Sequence, residues 1–134
     1  MTKKHFTLPL AAVLILLMSV ACKKDASKSP QEMILGKWNY ATYAYHTFYQ
    51  GKHDGDTVDA SSTGYYMDFR NNSKMYSYLF NKFDTAEYYA QDFKSFIRNK
   101  DTVKLSTFTE NQLTIYVKEG DKDDYYEEWY TFKK

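Results

Sequence analysis

The sequence predicts an all-β protein: a small eight-stranded antiparallel up-and-down barrel with a short helical turn at its N-terminal side. Three observations carry this. After position 21 the chain holds 24 aromatic residues, including all 14 tyrosines, and aromatic and β-branched residues favour pleated, half-buried surfaces. Alternation of period two recurs in eight short blocks separated by turn signals, without a convincing long helical pattern. An open sheet of eight strands leaves two exposed edges, and closing it into a barrel removes them.

Residues 1–21 read as a secretory leader: a basic start (Lys3, Lys4), an apolar run from Leu8 to Val20 broken only by Pro9 and Ser19, then Ala21 before Cys22. The run is shorter than the roughly 20 apolar residues of a membrane span. Leu17-Met18-Ser19-Val20-Ala21-Cys22 resembles the signal of bacterial lipoproteins, although Ser19 stands where an aliphatic residue is usual. The resemblance implies cleavage before Cys22, acylation of Cys22 with palmitate-like chains, and a lipid anchor in the outer membrane, on its periplasmic or cell-surface face. An uncleaved membrane anchor is the alternative. Two or more acyl chains are what stable anchoring requires. Cys22 is the only cysteine, so no internal disulfide can form and stability must come from the core.

The domain boundaries follow: signal peptide 1–21, lipidated Cys22 with tether and cap 22–33, barrel 34–134. Without the leader 113 residues remain, enough for one core. Their 16 basic and 17 acidic side chains are interspersed, which gives no electrostatic case for nucleic acid.

Residues 23–29 are short and polar and read as a tether. Ser29-Pro30-Gln31-Glu32 carries a helix cap, a proline at the first helical position and a capping-box glutamate. Gly36 ends that turn. From Trp38 to Tyr49, Trp38, Tyr40, Thr42, Ala44, His46 and Phe48 fall on one face and the intervening residues on the other, predicting one long strand. Gln50 to Ser61, with two glycines and several acids, reads as a loop of about a dozen residues. Tyr65, Met67 and Phe69 alternate in the next strand, and Asn71-Asn72 turns into Met75 to Phe80. Residues 81–85 read as a turn. The stretch from Ala86 to Arg98 suits either one helix or two short strands, and the strands are favoured by the resemblance described next. Alternation then returns around Val103 and Leu105, and again around Leu113, Ile115 and Val117. A charged hairpin loop from Glu119 to Asp124 leads to the last strand, Tyr125 to Phe132.

Leu35-Gly36-Lys37-Trp38 resembles the G-x-W start of the lipocalins, and three later stretches are similar to the lipocalin-like domains of bacterial lipoproteins: Met67 to Tyr76, Phe108 to Ile115, and Tyr130 to Lys133. The resemblance spans about residues 34–133. It implies that Gly36 and Trp38 form the barrel floor and that the opposite end is open to a small ligand. Lipocalins set an arginine against that tryptophan; here Lys133 and Lys134 are the cations available. Meander connectivity places the connections at 70–73, 91–93 and 108–112 at the floor. Those at 50–61, 81–85, 98–101 and 118–124 gather at a charged mouth, which a floor tethered by Cys22 points away from the membrane.

The chemistry-bearing residues are sparse. Only His46 and His53 follow the leader, and no nucleophile elbow, P-loop or metal-type histidine pair is present, so an enzyme, a metal and a cofactor are not expected. His53-Asp54-Gly55-Asp56 lacks the glycine position and closing glutamate of an EF-hand and reads as a solvated acidic loop. Glu127 and Glu128 are adjacent on a strand, so one of them must point into the barrel. If it is Glu128, it sits among tyrosines with His46 on the adjoining strand, where tyrosine hydroxyls or a ligand would satisfy it. Tyr40, Tyr65, Tyr76, Tyr78, Tyr126 and Tyr130 either line a pocket or fill a solid core. The expected function is therefore binding of a small apolar, aromatic or sugar-like ligand at the open end. The alternative is a non-catalytic envelope module whose loops 50–61 and 118–124 contact a protein partner.

Overall fold

A computed structural model describes residues 27–134; Cys22, the leader and the start of the tether lie outside the described residues. The chain folds into α1 (Pro30–Ile34) and nine strands: β1 (Gly36–Tyr49), β2 (Lys52–Asp59), β3 (Tyr66–Phe69), β4 (Lys74–Leu79), β5 (Lys82–Ala90), β6 (Ser95–Arg98), β7 (Asp101–Phe108), β8 (Gln112–Gly120) and β9 (Tyr125–Lys133). All ladders are antiparallel. The order is β2-β1-β3-β4-β5-β6-β7-β8-β9, and β1 also pairs with β9. Eight strands thus close a barrel and β2 is added outside it, as the alternation of the eight blocks predicts.

The ninth strand corrects the loop expected over 50–61. β2 pairs with β1 from Asp59 opposite Thr42 to Lys52 opposite Tyr49, yet every one of its residues is exposed. Neither face is buried, so nothing selects alternating apolar residues, and a charged strand such as Lys-His-Asp-Gly-Asp is how proteins keep an edge from pairing further. Gln50 and Gly51 both have positive φ, the geometry of a tight two-residue hairpin. The stretch 86–98 forms strands β5 and β6. The turn expected over 81–85 is shorter: Phe80 and Asn81, both at positive φ, make it alone, and β5 already begins at Lys82.

The floor is built by α1. Ser29 accepts from the Glu32 backbone while Glu32 accepts from the Ser29 N–H, closing the capping box. The turn delivers Ile34, fully buried, onto Trp38, also fully buried. The Trp38 Nε1–H donates to the Ile34 carbonyl at 2.6 Å. Lys134 supplies the expected cation, its Nζ 4.4 Å from the centre of the Trp38 ring while donating to the Met33 carbonyl at 2.8 Å. Gln31 accepts from the Ala90 backbone at 2.8 Å, so the turn is bonded to the end of β5 as well. Above the floor Met67, Phe69, Met75, Phe96, Leu113 and Phe132 form the core.

Candidate functional site

A β-bulge decides which side chains reach the interior. Along the β1–β9 ladder Tyr40 faces Phe132, but Thr42 faces Thr131, leaving Ala41 without a partner. One extra residue reverses the alternation. Below the bulge Trp38 and Tyr40 point inward; above it Tyr43, Tyr45 and Thr47 take their place, and Thr42, Ala44, His46 and Phe48 turn outward. The expectation that His46 adjoins an inward Glu128 is therefore corrected. His46 sits outside, with Nδ1 3.4 Å from Glu127 Oε2 and Nε2 3.0 Å from His53 Nδ1. Among the described residues no group of three or more His, Cys, Asp or Glu is placed to hold a metal ion.

Of the two adjacent glutamates, Glu128 shares the face of Tyr126, Tyr130 and Phe132. Tyr43 donates to its Oε1 at 2.5 Å, and Tyr126 donates to the same oxygen. Burial alone would raise the Glu128 carboxyl, but the hydroxyls of Tyr126, Tyr43 and Tyr130 outweigh it and hold the group below the ordinary glutamate value of 4.5. The phenols respond in the opposite sense. Tyr43 and Tyr126 are raised chiefly by donating to Glu128. Tyr130 is raised by burial and then by Glu128, and Tyr40 is pushed up to about 12 by burial. Glu127 is satisfied outside the barrel: Tyr116 donates at 2.6 Å and Lys118 at 3.3 Å, and these bonds, with Tyr116 foremost, keep it low as well.

Between these tyrosines and the floor the barrel is not filled. A cavity of about 620 Å³ is lined at depth by Tyr40, Met67, Met75, Phe96 and Phe132, and higher up by Ser77, Leu79, Ile115, Val117 and Tyr130. Phe80 stands at its mouth, its ring 5.7 Å from Tyr65 and 6.3 Å from Tyr130. Tyr65 stacks on Tyr40 at 6.3 Å without itself lining the cavity. Of the residues expected at a pocket, Tyr40 and Tyr130 line the cavity and Tyr65 and Glu128 adjoin them. Tyr76 and Tyr78 do not. In the β3–β4 ladder Phe69 lies opposite Met75, so Met75, Ser77 and Leu79 share the inner face with Phe69 and the two tyrosines are on the outer one. Tyr78 stacks there on Phe83 at 4.5 Å.

The register across Asn71-Asn72 was the signal that separates Met75 from Tyr76. Tyrosine chemistry alone carries neither that register nor the apolar lining that follows from it. The basic side chains beside the cavity, Lys82, Arg98, Lys104 and Lys118, carried no pattern in the sequence because they come from four strands.

The turn at 50–51 and the loop 121–124 lie at the same end, where the Gln50 N–H donates to Asp124 Oδ1 at 3.2 Å. No protein-family model, no curated protein and no solved structure matches this chain.

Proposed function

We propose that this protein is a binding module that takes a small, largely apolar ligand inside a lipocalin-like barrel, carried on a membrane by acylated Cys22. The cavity supports this reading. A volume near 620 Å³ falls within the roughly 300–1,000 Å³ of small-molecule sites, and its wall is apolar at depth with hydroxyls and charged side chains higher up. The tyrosine–Glu128 cluster serves as a polar rim whose hydrogen bonds hold β1 against β9. Native mass spectrometry of the purified protein tests the reading: a small molecule that travels with the folded chain and is displaced on denaturation supports it. A protein that stays ligand-free and gains no mass when offered apolar compounds refutes it.

A second reading rests on a different surface. Phe83 is 79% exposed and stacks on Tyr78 on the outer face of the β4–β5 hairpin, with Phe80, 60% exposed, at the hairpin's turn. Such a patch fits contact with another envelope protein, at a place other than loops 50–61 and 118–124.

A further inference from the structure

The barrel wall is interrupted beside the cavity. β7 and β8 pair only between Leu105 opposite Ile115 and Phe108 opposite Leu113. Above that level Asp101–Arg98 to Lys104–Ser95 pairs hold β7 to β6 alone, and Tyr116 to Gly120 are held to β9 alone. The two half-strands diverge, and the cavity reaches the slit between them: Thr102, Val103 and Lys104 line one bank, Tyr116, Val117 and Lys118 the other.

The charged side chains that line the cavity are mostly basic, with Lys104 and Lys118 on the two banks of the slit and Lys82 and Arg98 on β5 and β6. The single carboxylate among them is Asp84. Asp84 is paired with Arg98, and Lys118 leans on Glu127 from outside. Lys82 and Lys104 make no ion pair among the described residues. The opposite end of the same cavity is made of Met67, Met75, Phe96 and Phe132, all buried. One site therefore runs from an apolar floor to a cationic side opening. Cations beside a low-dielectric wall concentrate anions there, and an apolar depth favours a hydrocarbon.

We propose that the cavity takes a single-chain amphipathic anion, its apolar part against Met67, Met75 and Phe96 and its charged head toward the β7–β8 slit, facing Lys104 and Lys118 on its banks and Lys82 on the cavity wall. This rests on the ligand-binding reading above and adds the ligand's charge and its side of entry. Three probes of equal chain length separate the two ideas: dodecanoate, dodecanol and dodecyltrimethylammonium, each titrated below micelle formation by displacement of a fluorescent apolar dye. Dodecanoate is expected to bind about tenfold more tightly than dodecanol, the gain that two or three partly exposed ion pairs supply, and the ammonium compound more weakly than either. In Lys82→Gln/Lys104→Gln, whose altered side chains are both exposed, dodecanoate should fall to the affinity of dodecanol while dodecanol is unchanged. Equal binding of anion and alcohol, or a preference that survives the double substitution, overturns the proposal but leaves the binding module standing. Failure of all three probes to bind overturns both.

Discussion

Replacing Trp38 by phenylalanine tests whether the floor holds the barrel shut. The indole is fully buried, and its N–H is the partner of the Ile34 carbonyl at 2.6 Å. Phenylalanine fits the same wall but cannot donate, and an acceptor left buried without its partner costs about 1–3 kcal/mol. The smaller ring leaves a void against Phe108, which meets the indole edge-on at 6.3 Å, and weakens the seat for Lys134. Together these add about 1 kcal/mol, for a total of about 2–4 kcal/mol. A domain of this size loses about 4–8 °C in Tm per kcal/mol, so a fall of at least about 8 °C is expected. Urea unfolding should show a lower midpoint at an unchanged slope. Lys134→Met, which removes the cation and its bond to Met33, should cost only about 0.5–1.5 kcal/mol. The reasoning is refuted if Trp38→Phe unfolds within about 0.5 kcal/mol of the parent, the usual range for surface changes.

Three further outcomes are expected. A Cβ on Gly55 would sit 2.7 Å from the Tyr45 carbonyl oxygen. Gly55→Ala should therefore open the β2 ladder and speed amide exchange across residues 52–59, while global unfolding moves by less than about 1 kcal/mol because β2 buries no side chain; a large global loss would make β2 part of the core. Because Glu128 is held below its ordinary value in the folded chain, its contribution to stability is present above 4.5 and fades as pH drops through its depressed pKa. Glu128→Gln should accordingly lose less stability on acidification than the parent, and parallel acid profiles would contradict the pairing with Tyr43 and Tyr126. The raised phenols have the opposite sign: stability is complete below the ordinary tyrosine value of 10.0 and is lost as pH climbs toward the folded values. Ultraviolet titration should show a group of tyrosines that ionises only as the fold is lost, whereas uniform titration near 10 would remove the cluster.

The barrel was legible because its strands are half-buried. Met67 and Phe69, Val103 and Leu105, and Leu113, Ile115 and Val117 each announce one wet and one dry face, and Gly36-Lys37-Trp38 marks where the dry faces meet a floor. β2 was illegible for the converse reason, having no dry face. The bulge at Ala41 left no trace either, since Thr42, Ala44, His46 and Phe48 continue the alternation begun by Trp38 and Tyr40 as smoothly as Tyr43 and Tyr45 do. A single unpaired residue set by the β9 register moved His46 from the interior to the surface. Adjacency on one strand showed that one of Glu127 and Glu128 had to be inside, but only pairing of Phe132 with Tyr40 and Leu113 selects Glu128. The slit and its cations depend on where two strands part, a property of tertiary structure that no local stretch encodes.

Binding of an apolar fluorescent dye to the parent and to Val117→Trp, measured side by side, is the most direct test of the cavity. Val117 is half-buried on the cavity wall, so the larger ring turns into empty space rather than into packed core. The parent should bind the dye saturably, and the variant should keep its fold by circular dichroism while losing at least about tenfold in affinity, the equivalent of about 1.4 kcal/mol. Undiminished binding by the folded variant would place the dye elsewhere and contradict a ligand site inside the barrel.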